Sequence, residues 1–200
     1  MAGGQRAEEN YIRQREIGEY SDLKDMLNDL NDQEEYSDLV DENDKVIGRM
    51  STMEARRQGL KNLRVINAFI INSKGELWIP RRQVDKEFFP SCLDMSIGGH
   101  VSSGETYEEA LKREAREELN IDIEKIRIRL LGSLGPEDGV HFMKVYEIKS
   151  DEAPDYNKED FCDFFWLKPN DLIEKIKLGD KSKKELPILI ERFYIENNLK

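Results

Sequence analysis

The sequence predicts an α+β fold. Short apolar runs of strand length, bounded by turn residues, recur between Asp38 and Leu167. One strongly patterned helix near the middle and shorter ones near the C-terminus interrupt them. Strands and helices mix without the regular alternation of a doubly wound sheet.

Residues 1–36 read as a polar N-terminal extension. Tyr20, Leu23, Met26, Leu27 and Leu30 fall at helical spacing within it, so the extension is partly helical behind a loose tail. Residues 37–200 read as the folded domain. Its first segment, SDLVDENDKVIGRM, predicts two short strands around an Asp41-Glu42-Asn43-Asp44 turn. A hairpin follows, with arms Val65 to Ile71 and Leu77 to Pro80 and the turn Asn72-Ser73-Lys74-Gly75. A loop containing Lys86 and Pro90 leads to a strand ending in Gly98-Gly99. The strongest helix runs from about Tyr107 to Leu119. Thr106 caps it, Glu109 completes a capping box, and Asn120 suits the left-handed position that stops a helix. IRIRLLGSL and VHFMKVYEIK are strands joined through Gly135-Pro136-Glu137-Asp138-Gly139, and FCDFFWL is the last strand. Pro169-Asn170-Asp171 opens a short helix, and Lys183 to about Asn197 makes the final one.

Composition bounds the function. In 200 residues, 38% are hydrophobic and 36% charged, which suits one globular domain with a charged surface. The net charge of −11 argues against broad electrostatic binding to nucleic acid or anionic membrane. A polyanionic small substrate meets the same repulsion unless a local basic patch or a bound cation offsets it. Two cysteines without a CxxC, and two histidines, make a disulfide framework or zinc site improbable and fit reduced thiols. With no membrane-length apolar run and no hydrophobic signal core, the expected location is the cytoplasm.

The chemistry lies on the central helix. Glu114, Glu117 and Glu118 stand at i, i+3 and i+4 and share one face, beside an apolar stripe of Leu111, Ala115 and Leu119. Like charges at that spacing cost roughly 0.2–0.5 kcal/mol per pair, a penalty a cation removes. Carboxylate oxygens are the hard ligands that Mg²⁺ or Mn²⁺ prefers. The plainer reading is a solvated face held by pairs such as Glu108–Lys112 and Glu109–Arg113.

The ordered pattern decides between them. Gly99, Glu105, Arg113-Glu114, Ala115, Glu117-Glu118 and Ile121 resemble the Nudix box, GX5EX7REUXEEXGU, with Asn120 in place of the second glycine and a small Ala115 at the first aliphatic position. The resemblance implies an α/β/α sandwich with a mixed sheet and a metal-dependent hydrolase of diphosphate linkages. It implies Glu114, Glu117 and Glu118 as metal ligands for Mg²⁺ or Mn²⁺, with the Gly98 carbonyl as a further one. Arg113 would orient the acidic cluster and Glu105 support it. Glu114 is one candidate for the base, with Glu159 and Asp160 as weaker ones.

LVDENDKVIG, INAFIINSKGELWIPRR, the downstream Phe-Pro and GGHV resemble the branch related to isopentenyl-diphosphate isomerase. They are more similar still to a bacterial nucleotide-hydrolase subgroup known from Deinococcus. The resemblance implies a small nucleotide substrate, and the net charge of −11 leads us to expect no nucleic-acid or membrane partner. Isomerase activity is the less favoured alternative. That enzyme has a cysteine immediately before its Gly-His pair, where this chain has Gly98, and a metal-binding histidine ahead of the hairpin, where this chain reads KNLRVINAF. A non-catalytic nucleotide-binding module is the other alternative, although such members usually lose box glutamates. Arg81, Arg82 and Lys86 form a basic cluster suited to phosphate, or an edge strand kept soluble by charge. His100 is either a substrate contact or a packed histidine. Trp78 and Phe88 or Phe89 are either base-stacking residues or core.

Overall fold

The computed structural model describes residues 35–196. The helix expected between Tyr20 and Leu30 lies outside the described residues. β1 (Tyr36–Val40) and β2 (Val46–Ser51) form an antiparallel two-stranded sheet around the expected turn. Asp44 takes φ 60 in that turn, a conformation aspartate visits more readily than most residues. α1 (Thr52–Arg57) follows. This helix is not legible in the sequence, because six residues span less than two turns and carry little periodic signal.

β3 (Arg64–Ile71) and β4 (Leu77–Arg82) leave the predicted turn as a hairpin, but their registered pairing is confined to Ile71 and Leu77. Beyond it the two strands splay. β5 (Ile97–His100) pairs antiparallel with the first half of β3, and β4 pairs along its length with β8 (Phe161–Leu167). On its other edge β3 pairs in parallel with β7 (Phe142–Lys149), which pairs antiparallel with β6 (Ile128–Leu134). The order is β6-β7-β3-β4-β8 with β5 branching from β3, a mixed sheet. β6 starts later than expected because Asp122 caps a 3-10 turn over Ile123–Lys125, and Ile126 ends it.

Both faces of this sheet are covered, which explains why β3 reads as a continuous apolar run. Ile66, Ala68 and Ile70 face α2 (Tyr107–Leu119), with Trp78, Tyr146, Ile148 and Phe161. Val65 and Phe69 face the opposite layer with Leu77, Ile79, Met143 and Val145. That layer is built by α3 (Pro169–Lys177) and α4 (Glu185–Ile190), the latter running on into a π-helical turn at Glu191–Ile195. The result is the α/β/α sandwich. Among the described residues no helix is long and apolar enough to cross a membrane.

Candidate active site

α2 places the acidic cluster. Its N-terminus carries the full capping box between Thr106 and Glu109, and Asn120 ends it at φ 53. Tyr107, Ala110, Leu111, Ala115 and Leu119 are buried on the sheet, each large aliphatic contributing about 1.5–3 kcal/mol. Burying that stripe fixes the rotation of the helix and turns Glu114, Glu117 and Glu118 to its flank beside β5. The backbone of β5 meets them closely. A Cβ at residue 99 would lie 1.9 Å from Glu114 Oε1, and one at residue 98 would lie 2.8 Å from Asn67 Oδ1. Gly98 and Gly99 thus leave room for the Asn67 and Glu114 side chains, which a larger residue at either position would displace. The Gly98 amide donates to Glu118 Oε2 at 3.1 Å.

Arg113 organises the cluster. Its Nε and NH2 donate to the two oxygens of Glu105 at 2.9 and 3.0 Å, the bidentate geometry a guanidinium favours. NH1 donates to Glu114 at 2.8 Å and to Glu117 at 3.3 Å, while NH2 also donates to the His100 carbonyl at 2.9 Å. Glu105 receives the Ser102 amide as well, at 3.0 Å. Burial opposes its ionisation, but Arg113 and the Ser102 amide together hold its carboxyl below the usual range. The solvated-face pairs do not form: Glu108 accepts from Lys144 and Tyr146, Glu109 serves the cap, and Lys112 reaches Glu124.

The other carboxyls carry the opposite stress. Burial pushes Glu114 up to about 7, against the pull of Arg113 and with the added repulsion of Glu117. Burial also raises Glu118 well above the usual range, helped by Glu114 and Asp94. Glu117 stays 56% exposed. Two buried carboxyls crowded beside a third form a donor set that fits a hard divalent cation. Among the described residues no three acidic, histidine or cysteine side chains are already arranged to hold an ion. Glu114 and Glu118 are instead turned toward Arg113 and the Gly98 amide, so binding a metal there involves side-chain rotation.

The predicted basic residues do not form one patch. Arg81 makes a bidentate pair with Asp180 at 2.9 and 2.8 Å, Arg82 pairs with Asp94 at 3.1 Å, and Lys86 pairs with Asp160 at 2.6 Å. Each is committed to a different carboxylate. The pair with Lys86 also occupies one of the two weaker base candidates, while Glu159 is exposed. Trp78 is fully buried and packs against Phe161, Phe164 and Tyr156, so it is core and unavailable for stacking on a base. Phe89 is 41% exposed, and Phe88 lies under the Arg56 guanidinium. His100 is packed: its Nδ1 lies 3.0 Å from Arg56 NH2 and its ring is edge-on to His141. Burial first, then Arg56, holds it well below the ordinary histidine range. Cys92 lies ahead of β5, where its carbonyl accepts from the Arg82 amide.

Three polar residues near the cluster escaped sequence reasoning. Asp94 is 2% exposed and receives Arg82 and, at 2.7 Å, Lys183. Lys183 arrives on the segment before α4, which lies beside Leu93 through backbone bonds from Leu93 to Lys181 and from Lys183 to Leu93. Arg56 arrives on α1. All three come from parts of the chain far apart in sequence, and no local spacing announces them.

Comparison with known proteins agrees with this architecture. Residues 61–187 match the NUDIX domain family. An uncharacterized Nudix hydrolase of Nostoc is 52% identical over 171 residues, 84% of this chain and 99% of that protein. A Nudix hydrolase of Deinococcus radiodurans is 45% identical over 82% of this chain and 96% of its own. A crystal structure from Deinococcus radiodurans superposes with TM-score 0.76 at 45% identity, covering 80% of this chain and 99% of that one. The MutT protein of Methanosarcina mazei, at 22% identity and TM-score 0.51 over 68% of this chain and 94% of its own, shares the fold.

Proposed function

The chain belongs to the Nudix hydrolase family, and on that premise we propose that it is a Mg²⁺- or Mn²⁺-dependent pyrophosphohydrolase of a nucleoside di- or triphosphate or a related small nucleotide. The observation that carries this reading is the set Glu114, Glu117 and Glu118 on one flank of α2, the first two held by Arg113, the third by the Gly98 amide, with space left for them by Gly99. Enzymes of this family generally use a divalent metal. Glu114, Glu117, Glu118 and the Gly98 carbonyl are the groups that would hold it. A bound ion would neutralise phosphate charge and lower the pKa of a coordinated water. We assign residues 37–200 to the catalytic domain and residues 1–36 to an extension of it.

The chain's own residues have separable parts. Arg113 keeps Glu114 and Glu117 from rotating freely, and Glu105 fixes Arg113 from the loop before the helix. Burial raises the Glu114 carboxyl above the usual range in the metal-free protein, and Glu114 is our first candidate for the group that takes a proton from an attacking water. Arg82 and Lys86 are the nearest reading for phosphate contacts on the hairpin side, by exchange of their present carboxylate partners. Arg81 and His100, the other two residues first read as substrate contacts, are tied into the fold by Asp180 and Arg56.

The test is a panel of nucleoside di- and triphosphates, sugar nucleotides and dinucleoside polyphosphates with Mg²⁺ or Mn²⁺. Release of phosphate or pyrophosphate from at least one, abolished in Glu117→Gln and Glu118→Gln with the fold intact, is the expected result. No release from any member, or normal turnover in both variants, removes the reading.

A further inference from the structure

We infer that Arg56 is a substrate-binding residue of this site, a preset guanidinium that grips phosphoryl oxygens of the diphosphate alongside the acidic cluster. The inference rests on the diphosphate reading of the site and adds a residue that the box and the hairpin do not contain.

The cations around the cluster divide in two. Arg113 is spent on Glu105, Glu114 and Glu117, Arg82 and Lys183 on Asp94, and Lys86 on Asp160. Burial and Arg82 oppose the charge of Arg56, and Glu35, Glu114 and Asp94 favour it, yet among the described residues it makes no ion pair with any carboxylate. The residue as a whole is exposed, while its guanidinium is partly desolvated. A protein of net charge −11 that binds a polyanion needs a positive group that is not already neutralised. In this region Arg56 meets that condition.

Its geometry is fixed from two sides. NH2 lies 3.0 Å from Nδ1 of His100, at the end of β5, and the guanidinium carbon lies 5.3 Å from the centroid of the Phe88 ring, in the loop after β4. Arginine has no acceptor, so Nδ1 is the accepting nitrogen and the proton of neutral His100 sits on Nε2. That Nε2 is buried and has no partner among the described residues. Two separate segments thus hold one long, flexible side chain beside His100, the last residue of β5. Fixing an arginine without giving it a counter-ion gains the fold little, whereas a fixed, unpaired guanidinium is the arrangement that binds phosphate at low ordering cost.

The experiment measures binding of methylenediphosphonate, which cannot be hydrolysed, to the full chain in Mg²⁺ buffer by calorimetry. Wild type, Arg56→Ala, Arg56→Gln and Arg57→Ala are compared, with Mn²⁺ affinity and melting temperature recorded for each. Arg57 is the control on the same helix, exposed and only loosely paired with Glu87 at 3.8 Å. Losing charge-assisted bonds to phosphate predicts about a tenfold to hundredfold weaker Kd for both Arg56 variants. Mn²⁺ affinity should be unchanged in them, and diphosphonate binding unchanged in Arg57→Ala. If Arg56→Ala does not fold, Arg56→Gln carries the comparison. No binding by the wild type, equal binding by the Arg56 variants, or an equal loss in Arg57→Ala overturns the inference. The readout needs no turnover, so a failed substrate panel and a failed Arg56 test are distinct results.

Discussion

Glu114 makes the metal-free protein less stable as pH rises, and replacing it with glutamine removes that dependence. In the fold, burial raises this carboxyl from 4.5 to about 7. A group whose pKa is higher folded than unfolded contributes its full share of stability below the unfolded value and loses it as pH climbs through the folded one. The window is therefore about pH 4.5 to about 7. At roughly 1.4 kcal/mol per unit, the loss is about 3 kcal/mol. The side chain is only 13% exposed, so solvent screening reduces this little. Arg113 faces the group from its own helix and opposes the shift; Glu117 reinforces it. Glu118, raised by burial and by Asp94 from the segment before β5, moves in the same direction, while Lys183 opposes that rise. For a chain of this size the loss is equivalent to a fall of roughly 6–12 °C in Tm. The assay is denaturant unfolding of wild type and Glu114→Gln in EDTA at several pH values from 4.5 to 8.5. The two should nearly coincide at the acid end, with the variant the more stable by about 3 kcal/mol at the alkaline end. Added Mg²⁺, which favours the ionised carboxylates, should close that gap in the wild type. A wild-type-minus-variant difference that does not change with pH refutes the argument.

Other perturbations test the scaffold around the helix. Gly99→Ala forces Glu114 out of its present place, since the new methyl would overlap its carboxylate; we expect a fall in turnover of about a hundredfold with Tm changed by only a few degrees, read by kinetics and melting side by side. Arg113→Lys keeps the charge but loses the fork that joins Glu105 to Glu114 and Glu117, and should lower metal-dependent activity about tenfold to a hundredfold. Thr106→Ala removes the cap of α2 and should cost about 1 kcal/mol in chemical unfolding, with kcat per folded molecule unchanged.

The central helix was legible in the sequence to its end residues, because cap, periodic stripe and stop are all local signals. Tyr107–Leu119, with Thr106, Glu109 and Asn120 in their expected places, is what those signals specify. FCDFFWL and the helix opened by Pro169 were equally readable. The splayed hairpin was not. Its turn is local, but the choice of β8 and β5 as partners for β4 and β3 is made by long-range packing. The same limit applied to the basic residues. Arg81, Arg82 and Lys86 look like one cluster along the chain, yet Asp180, Asp94 and Asp160 approach from three different segments and claim them separately. Trp78 read more readily as core than as a stacking platform, and it is core, but strand alternation says only which residues share a face and not whether a helix covers it. Arg56 lies on a helix too short to show a pattern, and its relation to His100 exists only after β5 folds onto β3.

A divalent ion held by the flank of α2 is central to the proposed chemistry, and anomalous diffraction from crystals soaked in Mn²⁺ measures its presence directly. The expected result is a peak bounded by the carboxylates of Glu114, Glu117 and Glu118 and the Gly98 carbonyl, the oxygen donors such hard cations take. A fully ordered α2 with no peak beside those three side chains, or a peak bound elsewhere on the molecule, would contradict it.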